Sequence, residues 1–519
     1  MANKEKFISE INTGYTFKGD AIIIGGAMLD GETLNNTLIK APLKTFNRHG
    51  LIAGATGSGK TKTMQGIAEA LSQKGVPSLL MDIKGDLSGL AKPAVSNPKI
   101  EERQTKIGTP WQPVQFPVEL MTLSTKGGIR LRATVSEFGP VLFSKILELN
   151  DTQAGVVALV FKYSDDKKLP LLDLKDFKKV LQFLTNEGKE EIKQEYGAIS
   201  TATTSTIIRK IIEIEQQGAE KFFGEKSFEV EDLLRIDDNG LGYLNIIRLT
   251  DLQDKPKLFS TFMLSLLAEV YSTFPEVGDP DAPKLVIFID EAHLIFNNAS
   301  KVLLEQIETI IKLIRSKGVG VFFVTQSPED IPASVLAQLG MKVQHAFRAF
   351  TANDRKALKM IAENYPLSEH YKTEDLLTQL GIGEALVTVL SEKGTPTPLA
   401  HTMLCAPASR MDILTQTEID EVCNKSSLIK KYNEDIDEAS AFEMLQQKIN
   451  AKAEEQKTET NSTKKTEAEE EPGMLEQVAG SSVGKQVMRT VARELTRGLL
   501  GVLGVGTTRR TSSRKKSWF

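Results

Sequence analysis

Gly54-Ala-Thr-Gly-Ser-Gly-Lys-Thr61 is the stretch that decides the fold of this chain. It fits G-x-x-x-x-G-K-[ST], the phosphate-binding loop, at every fixed position. In such a loop, backbone N–H groups curl around phosphate oxygens, and the following helix directs its positive end at the same anion. An ordinary glycine-rich turn is the alternative, but an apolar run precedes the motif (residues 49–53) and a helix-compatible run follows it (residues 62–74). The sequence therefore predicts a nucleotide-binding loop between a buried strand and a helix.

The expected contacts to the nucleotide follow from position in this loop. Lys60 should reach the β- and γ-phosphates and so take part in catalysis, and the hydroxyl of Thr61 should bind Mg²⁺. The other residues predicted to contact the nucleotide are Gly54, Ala55, Thr56, Gly57, Ser58, Gly59 and Lys62.

A second motif, Lys284-Leu-Val-Ile-Phe-Ile-Asp290-Glu291, places two carboxylates at the end of an apolar run. Ligands of open α/β sheets bind outside the carboxyl ends of the strands, so we expect both carboxylates beside the phosphate loop. Asp290 is predicted to bind Mg²⁺, and Glu291 to orient and deprotonate the attacking water. Because Glu291 is atypical of small GTPases and no Asn-Lys-x-Asp motif occurs, ATP is the expected nucleotide.

Two further residues are candidates for sensing the nucleotide. Gln326 follows the apolar run 320–325, where its amide could detect the γ-phosphate, although a glutamine that caps a loop is the alternative. Arg315 ends the preceding predicted helix. A basic residue there suits the helix dipole, but it could also act as an arginine finger on a neighbouring subunit. Arg348 is a weaker candidate for that second role.

The run Asp82-Ile-Lys-Gly-Asp86 ends the next apolar segment and should face the same crevice. Asp82 could hold water or metal there, or it could simply stabilise a turn with Gly85 at positive φ. His293 could assist the site or simply pack against its neighbours. The sequence leaves these alternatives open.

The alternation of apolar runs and turns divides the chain into a core and additions. Residues 45–90 and 239–410 predict an α/β core of the RecA-like, additional-strand type, with a parallel sheet covered on both faces. Residues 1–44 predict a short N-terminal β segment, 91–238 a mostly helical insertion, and 411–448 a helical extension. Residues 449–472 have almost no apolar side chains and predict a disordered linker. Residues 473–519 form a basic amphipathic tail, which could bind acidic lipid, nucleic acid or a subunit.

Composition limits the function further. The chain has 519 residues, a net charge of −4 and an isoelectric point of about 6.0, which argues against a strongly basic surface that coats nucleic acid. It does not argue against a ring with a basic pore. No apolar run reaches the roughly 20 residues that span a bilayer. Cys405 and Cys423 are too few for a disulfide framework, so we expect a cytoplasmic protein.

Together these motifs resemble the HerA–FtsK superfamily of hexameric translocating ATPases, and most of all its bacterial HerA-like group, also called YjgR-like. The similarity covers residues 20–410 and includes Phe222-Phe-Gly-Glu225 and Arg315-Ser-Lys-Gly-Val-Gly320. The resemblance implies a homo-oligomeric ring, expected to be a hexamer, with ATP at subunit interfaces and Arg315 acting in trans. Relatives that process DNA ends carry a full N-terminal β-barrel, so a nuclease partner is not expected here.

Two functions from different classes follow. The first is a ring-forming ATPase motor that acts on DNA, as a translocase or helicase-like enzyme. The second is a non-motor, nucleotide-dependent switch or scaffold, docked to a partner or a membrane surface through the cationic tail. A coupling ATPase for protein secretion is disfavoured, because such relatives usually carry transmembrane anchors.

Overall fold

A computed structural model describes residues 2–124, 127–250, 255–296, 301–434 and 439–461. Within these ranges, twelve strands join one sheet in the spatial order β2-β1-β12-β11-β10-β3-β9-β8-β4-β7-β5-β6. In chain order the strands are β1 (Ala21–Leu29), β2 (Glu32–Pro42), β3 (Gly50–Ala53), β4 (Ser78–Asp82), β5 (Val118–Thr122), β6 (Ile129–Arg130), β7 (Leu244–Arg248), β8 (Leu285–Ile289), β9 (Val319–Thr325), β10 (Met341–Gln344), β11 (Glu384–Thr388) and β12 (Ala400–Leu404).

Helices occupy most of the remaining described chain. They are α1 (Ala2–Gly14), α2 (Lys60–Ser72), α3 (Pro98–Ile107), α4 (Val135–Ile146), α5 (Asp151–Asp166), α6 (Leu174–Thr185), α7 (Lys189–Glu195), α8 (Thr201–Gln216), α9 (Pro256–Thr273), α10 (His293–Phe296), α11 (Lys301–Ile314), α12 (Ala333–Leu336), α13 (Ala352–Glu363), α14 (Thr373–Gln379), α15 (Gln416–Lys425), α16 (Ser427–Tyr432) and α17 (Ala441–Asn461). Of these helices, none has both the length and the apolar character required to cross a bilayer.

The centre of the sheet is parallel. From β10 through β3, β9, β8, β4, β7 and β5 to β6, every neighbouring pair runs in the same direction. β9 lies between β3, which leads into the phosphate loop, and β8, which leads into the Asp-Glu pair. This extra strand between the two motifs confirms the predicted α/β fold of the RecA-like, additional-strand type.

Alternate residues of the central strands enter two separate cores. In β8, Leu285, Ile287 and Ile289 join one buried cluster, whereas Val286 and Phe288 join the other. The first cluster includes residues of the insertion helices α4–α8, and the second includes residues of α1 and α2. Strands covered on both faces are apolar at every position, which explains why the bounds of β8 were predictable from its composition.

The N-terminal segment differs from its prediction. Residues 1–44 were expected to form only short strands, but the structure begins with α1, whose buried Phe7 and Ile11 lie four residues apart on one face. β1 and β2 pair antiparallel, and β1 continues the main sheet through β12. This segment therefore adds two strands to the core sheet, beside β12.

The insertion 91–238 is mostly helical, but it also contributes β5 and β6, which extend the sheet beyond β7. At the other end of the chain, α15, α16 and the first part of α17 lie within the predicted helical extension. α17 continues to Asn461, so residues 449–461 of the predicted linker are helical. Ala, Glu, Gln and Lys are strong helix formers, so a segment with almost no apolar side chains can still be helical. The basic tail 473–519 lies outside the described residues.

Candidate nucleotide-binding and hydrolysis site

The two motifs meet at the edge of the sheet that is formed by the carboxyl ends of its parallel strands. Because β3, β4, β8 and β9 are parallel, the segments that follow them emerge side by side. These segments carry the phosphate loop, Asp82, the Asp290-Glu291 pair and Gln326. The fold thus brings together residues that are separated by more than two hundred positions in the sequence.

The phosphate loop is anchored from both sides. The N–H of Gly54 donates to Thr325 O at the end of β9 (3.2 Å), and the N–H of Ala55 donates to Ala346 O beyond β10 (2.8 Å). Gly54 has φ of 149°, and a Cβ atom there would lie 2.5 Å from the Cβ of His345. A glycine is required at this position for both reasons. Gly59, with φ of 110°, then turns the chain into α2.

Lys60 lies at the first position of α2 and is buried, with 7% of its surface exposed. Its ammonium donates to the carbonyl oxygens of Gly54 (2.7 Å) and Ala55 (3.1 Å). Burial lowers the pKa of Lys60, while the negative charges of Glu291 and Asp290 act in the opposite direction. The cation is therefore held inside the curve of the loop, where a phosphate group would also be bound.

The first turn of α2 offers donors for an anion. The first helical bond runs from the N–H of Thr63 to Gly59 O (3.0 Å). The N–H groups of Lys60, Thr61 and Lys62 precede it and have no partner within the helix. The side chain of Lys62 has a different task, since its ammonium donates to Met411 O and to Gln65 Oε1 (3.3 Å). Only the backbone of Lys62 is thus directed to the loop.

The carboxylate of Asp290 is almost fully buried, with 2% of the residue exposed. Its Oδ1 accepts the N–H of Glu291 (2.9 Å), whereas its Oδ2 has no hydrogen-bond partner among the described residues. Burial, and after it the charge of Glu291, raises the pKa of Asp290 to about 7. A buried, unpaired carboxylate oxygen costs free energy unless a cation or proton compensates it.

A magnesium ion fits this arrangement. Magnesium prefers oxygen ligands and usually takes one or two from the protein and the rest from phosphates and water. The free Oδ2 of Asp290 and the hydroxyl of Thr61 are oxygen donors of that kind, on segments that emerge at the same sheet edge. Within the described residues, no separate group of three or more His, Cys, Asp or Glu could hold a metal by itself.

Glu291 adopts a left-handed backbone conformation, with φ of 46°, that is unusual for a residue other than glycine. Such conformations concentrate at functional sites, where the surrounding structure maintains them. Its Oε1 pairs with the ammonium of Lys84. The Nδ1 of His293 lies 3.2 Å from Oε2, which nevertheless lacks a hydrogen bond within the described structure. One oxygen of this carboxylate is thus buried without a hydrogen-bond donor in the described structure.

Asp82 supports a turn. Its carboxylate accepts the backbone N–H groups of Gly85 (2.7 Å), Asp86 (3.0 Å) and Leu87 (3.2 Å). Burial raises the pKa of Asp82 to about 6, although these hydrogen bonds act in the opposite direction. Of the two alternatives from the sequence, the geometry favours the turn, with Gly85 at φ of 79°.

Gln326 and Arg315 lie at opposite ends of β9. Gln326 is exposed directly after the strand, on the edge that carries the phosphate loop. Arg315 is also exposed, but it precedes the strand. Seven residues of extended chain separate the two ends by about 20 Å. The structure therefore places Gln326 beside the motifs of its own chain and Arg315 far from them.

The sequence prediction missed two side chains at this site and a third farther along α2. Lys84 contacts Glu291, and His345 Nε2 lies 2.9 Å from the hydroxyl of Thr63 beneath the loop. The third, Glu69, is buried in α2 and accepts the N–H groups of Ala408 (2.6 Å) and Ser409 (3.1 Å). For Lys84, the motif 82–86 gave a usable signal. His345 and Glu69 find their partners only through long-range contacts that local patterns do not reveal.

Comparisons with known proteins show which family this chain resembles. The family model Helicase HerA-like C-terminal matches residues 28–510. The DNA double-strand break repair helicases HerA of Sulfolobus acidocaldarius and Saccharolobus solfataricus are 22% and 24% identical over 377 and 371 residues. Each alignment covers 68% of this chain but only 64% of the relative, so the chain spans less than two thirds of these relatives.

One solved structure supports the fold alone. The bacterial conjugative coupling protein TrwB, lacking its first 70 residues, aligns with a TM-score of 0.50 at 15% identity. The alignment covers 78% of this chain and 94% of that protein.

Proposed function

This chain belongs to the Helicase HerA-like C-terminal family, and on that premise we propose that it is an ATP-hydrolysing motor that forms a ring and acts on DNA. The convergence of the phosphate loop, Asp290 and Glu291 at one sheet edge carries the proposal. The names of the two archaeal relatives, DNA double-strand break repair helicases, support DNA as the substrate.

Each site residue then has a defined task. Backbone N–H groups at the start of α2, those of Lys60, Thr61 and Lys62, bind the phosphates, and the ammonium of Lys60 exchanges its carbonyl partners for phosphate oxygens. Thr61 and Asp290 hold Mg²⁺, which neutralises charge on the phosphates when it is bound. Glu291 orients a water molecule and accepts its proton, while Gln326 reports the γ-phosphate by a hydrogen bond.

The catalytic site is completed by a second subunit. Arg315 lies about 20 Å along β9 from the phosphate edge of its own chain, which is too far for its side chain to reach. In a ring, one subunit can present this edge to the nucleotide of the next, because head-to-tail interfaces pair different surfaces. We therefore assign Arg315 as an arginine finger in trans, with a hexamer as the proposed assembly.

The first experiment measures steady-state ATP hydrolysis by the purified protein, with and without linear duplex DNA. Hydrolysis that rises several-fold with DNA would support the motor. Hydrolysis at the same rate with and without every form of DNA would still show an ATPase. It would favour the alternative function, a nucleotide-dependent switch docked through its tail. No hydrolysis in any condition would contradict the proposal.

The matching variant is Lys60→Ala, which removes two charge-assisted hydrogen bonds to the phosphates. We expect the affinity for ATP to fall by about 100-fold. Lys44→Ala is the control, since Lys44 precedes β3 at the opposite edge and pairs with Asp279 (3.7 Å) and Asp281 (3.5 Å). Unchanged ATP binding in Lys60→Ala would contradict the assignment of the phosphate loop.

A further inference from the structure

Lys84 lies within the nucleotide site, yet the hydrolysis scheme above leaves it without a task. It occupies the middle of the turn 82–86 that follows β4. Its ammonium pairs with Oε1 of Glu291, whose side chain is only 8% exposed, while Lys84 itself keeps 42% of its exposure. A half-exposed lysine thus holds a buried carboxylate that the mechanism requires as a base.

The backbone around Lys84 is stiff. The carboxylate of Asp82 accepts three successive N–H groups of the turn, from Gly85 to Leu87. Such a turn fixes the direction in which the chain leaves β4. The position of the Lys84 backbone is therefore set, and only its long side chain is free to move.

The ammonium of Lys84 contacts Glu291 and feels the charges of two further carboxylates. Partial burial alone would lower the pKa of Lys84, but its hydrogen bond to Glu291 and the charges of Asp290, Glu291 and Asp86 raise it. Each of the three acids also keeps one buried oxygen without a hydrogen bond in the described structure: Asp86 Oδ1, Asp290 Oδ2 and Glu291 Oε2. The ammonium of Lys84 is thus a positive charge near these acids, in addition to the buried ammonium of Lys60, and it is the one that contacts Glu291 directly.

We propose that Lys84 is a positioning residue that neutralises Asp290 and Glu291 in the nucleotide-free protein. When the metal–nucleotide complex binds, Lys84 releases these carboxylates. The inference rests on the proposed function, because it assigns the metal to Asp290 and the base to Glu291. A cation that binds Asp290 repels a neighbouring ammonium. The flexible side chain of Lys84 can then withdraw to solvent and release Glu291 to face its water.

This role has a specific consequence for binding. Without Lys84, the uncompensated carboxylates repel the polyphosphate when Mg²⁺ is absent, and they attract Mg²⁺ more strongly when it is present. Replacing Lys84 should therefore increase the dependence of nucleotide affinity on Mg²⁺. A lysine that directly bound phosphate would instead weaken binding equally in both conditions when it was removed.

The test measures the affinity of a fluorescent, slowly hydrolysed ATP analogue in excess EDTA and in excess Mg²⁺. In Lys84→Met, we expect the ratio of the two dissociation constants to grow by about tenfold relative to the wild type. Lys84→Arg keeps the charge and should restore a ratio near that of the wild type. Lys44→Met, at the opposite edge, should leave the ratio unchanged.

Two outcomes would overturn the inference: a ratio in Lys84→Met that is unchanged, as an equal loss of affinity in both conditions would give, or a ratio that is smaller than in the wild type. If the wild type does not bind the analogue even with Mg²⁺, the proposed function fails instead, so the two failures are distinguishable. Thermal melting of each variant tests whether it is folded. We expect each variant to fold, because Lys84 is half-exposed.

Discussion

At the scale of the single residue, Glu291 combines three structural features that bear on its proposed role. Its backbone has a positive φ, its carboxylate is buried, and one oxygen pairs with Lys84. Positive φ at a residue other than glycine persists only where the surrounding structure maintains it. The position of this carboxylate is thus fixed for the base role that we propose.

The first prediction concerns Glu291→Gln. The amide keeps the shape of the side chain and an oxygen for Lys84, but it cannot accept a proton from water. We expect binding of ATP to remain within a few-fold of the wild type and single-turnover hydrolysis to fall at least about 100-fold. Glu276→Gln is the control, because Glu276 is 71% exposed beside Lys317 (3.9 Å) at the opposite edge. Hydrolysis that survives in Glu291→Gln would assign the base elsewhere.

At the scale of the secondary-structure elements, His49 connects three of them. It directly precedes β3, its Nε2–H donates to Ile311 O of α11 (2.8 Å), and its Nδ1 accepts the N–H of Val321 in β9 (3.0 Å). Both ring nitrogens are therefore used by a neutral ring. Complete burial lowers the pKa of His49 to about 4. The strand that leads into the phosphate loop is thus held by a group that acid would disrupt.

This arrangement predicts how stability depends on pH. In the unfolded chain His49 binds a proton below about pH 6.5, whereas in the folded protein it binds one only below about pH 4. The unfolded state therefore binds more protons between these two pH values. The contribution of His49 to stability is fully present above pH 6.5 and is lost as the pH falls. From pH 7 to pH 5 the loss is about 2 kcal/mol.

The test variant is His49→Asn, since asparagine tolerates the positive φ of 59° at this position. It should be less stable than the wild type at pH 7 by about 1 to 2 kcal/mol because of weakened hydrogen bonds. Its additional loss on acidification to pH 5 should be smaller by about 2 kcal/mol. Urea unfolding at the two pH values measures both quantities. Equal acid sensitivity in the two proteins would show that His49 does not contribute.

At the scale of the whole molecule, the position of Arg315 decides whether its side chain can reach the nucleotide site of its own chain or only that of a neighbouring chain. The proposed finger lies at one edge of the sheet, and the phosphate loop lies at the other. If the proposal holds, a single chain therefore contains two halves of a composite site that do not meet. Only an assembly in which copies contact head to tail can bring them together.

The corresponding prediction uses two inactive variants. Arg315→Ala should bind ATP like the wild type but hydrolyse it at least about 100-fold more slowly. Mixed with Glu291→Gln, it should regain activity, because some interfaces then combine an intact Glu291 with an intact Arg315. Hydrolysis is measured for each variant alone and for the mixture after subunit exchange. If the mixture stays as inactive as its components, Arg315 does not act across an interface.

Much of this protein could be predicted from the sequence, and the reason is local. β8 and β9 have the expected bounds because nearly all of their residues are apolar and all are buried. The glycines of the phosphate loop serve backbone conformations that other residues rarely adopt. The match of the family model to residues 28–510 confirms the resemblance drawn from these motifs. The assigned roles of the individual site residues stay predictions.

Other elements could not be predicted in this way. β10 and β5 are strands of four and five residues whose short patterns do not distinguish strand from loop. They form because neighbouring strands offer hydrogen bonds to them, β3 and β11 to β10, and β7 to β5. Their existence is a property of the assembled sheet.

The sequence by itself thus determined the phosphate loop, the Asp-Glu pair and the class of fold, because each depends on residues that are adjacent in the chain. Only the tertiary structure decided that Lys84 holds Glu291, that Asp82 supports a turn, and that Arg315 lies far from its own phosphate loop. These facts depend on the order and direction of strands that are distant in sequence. No local pattern encodes which of two distant side chains will face each other across a sheet edge.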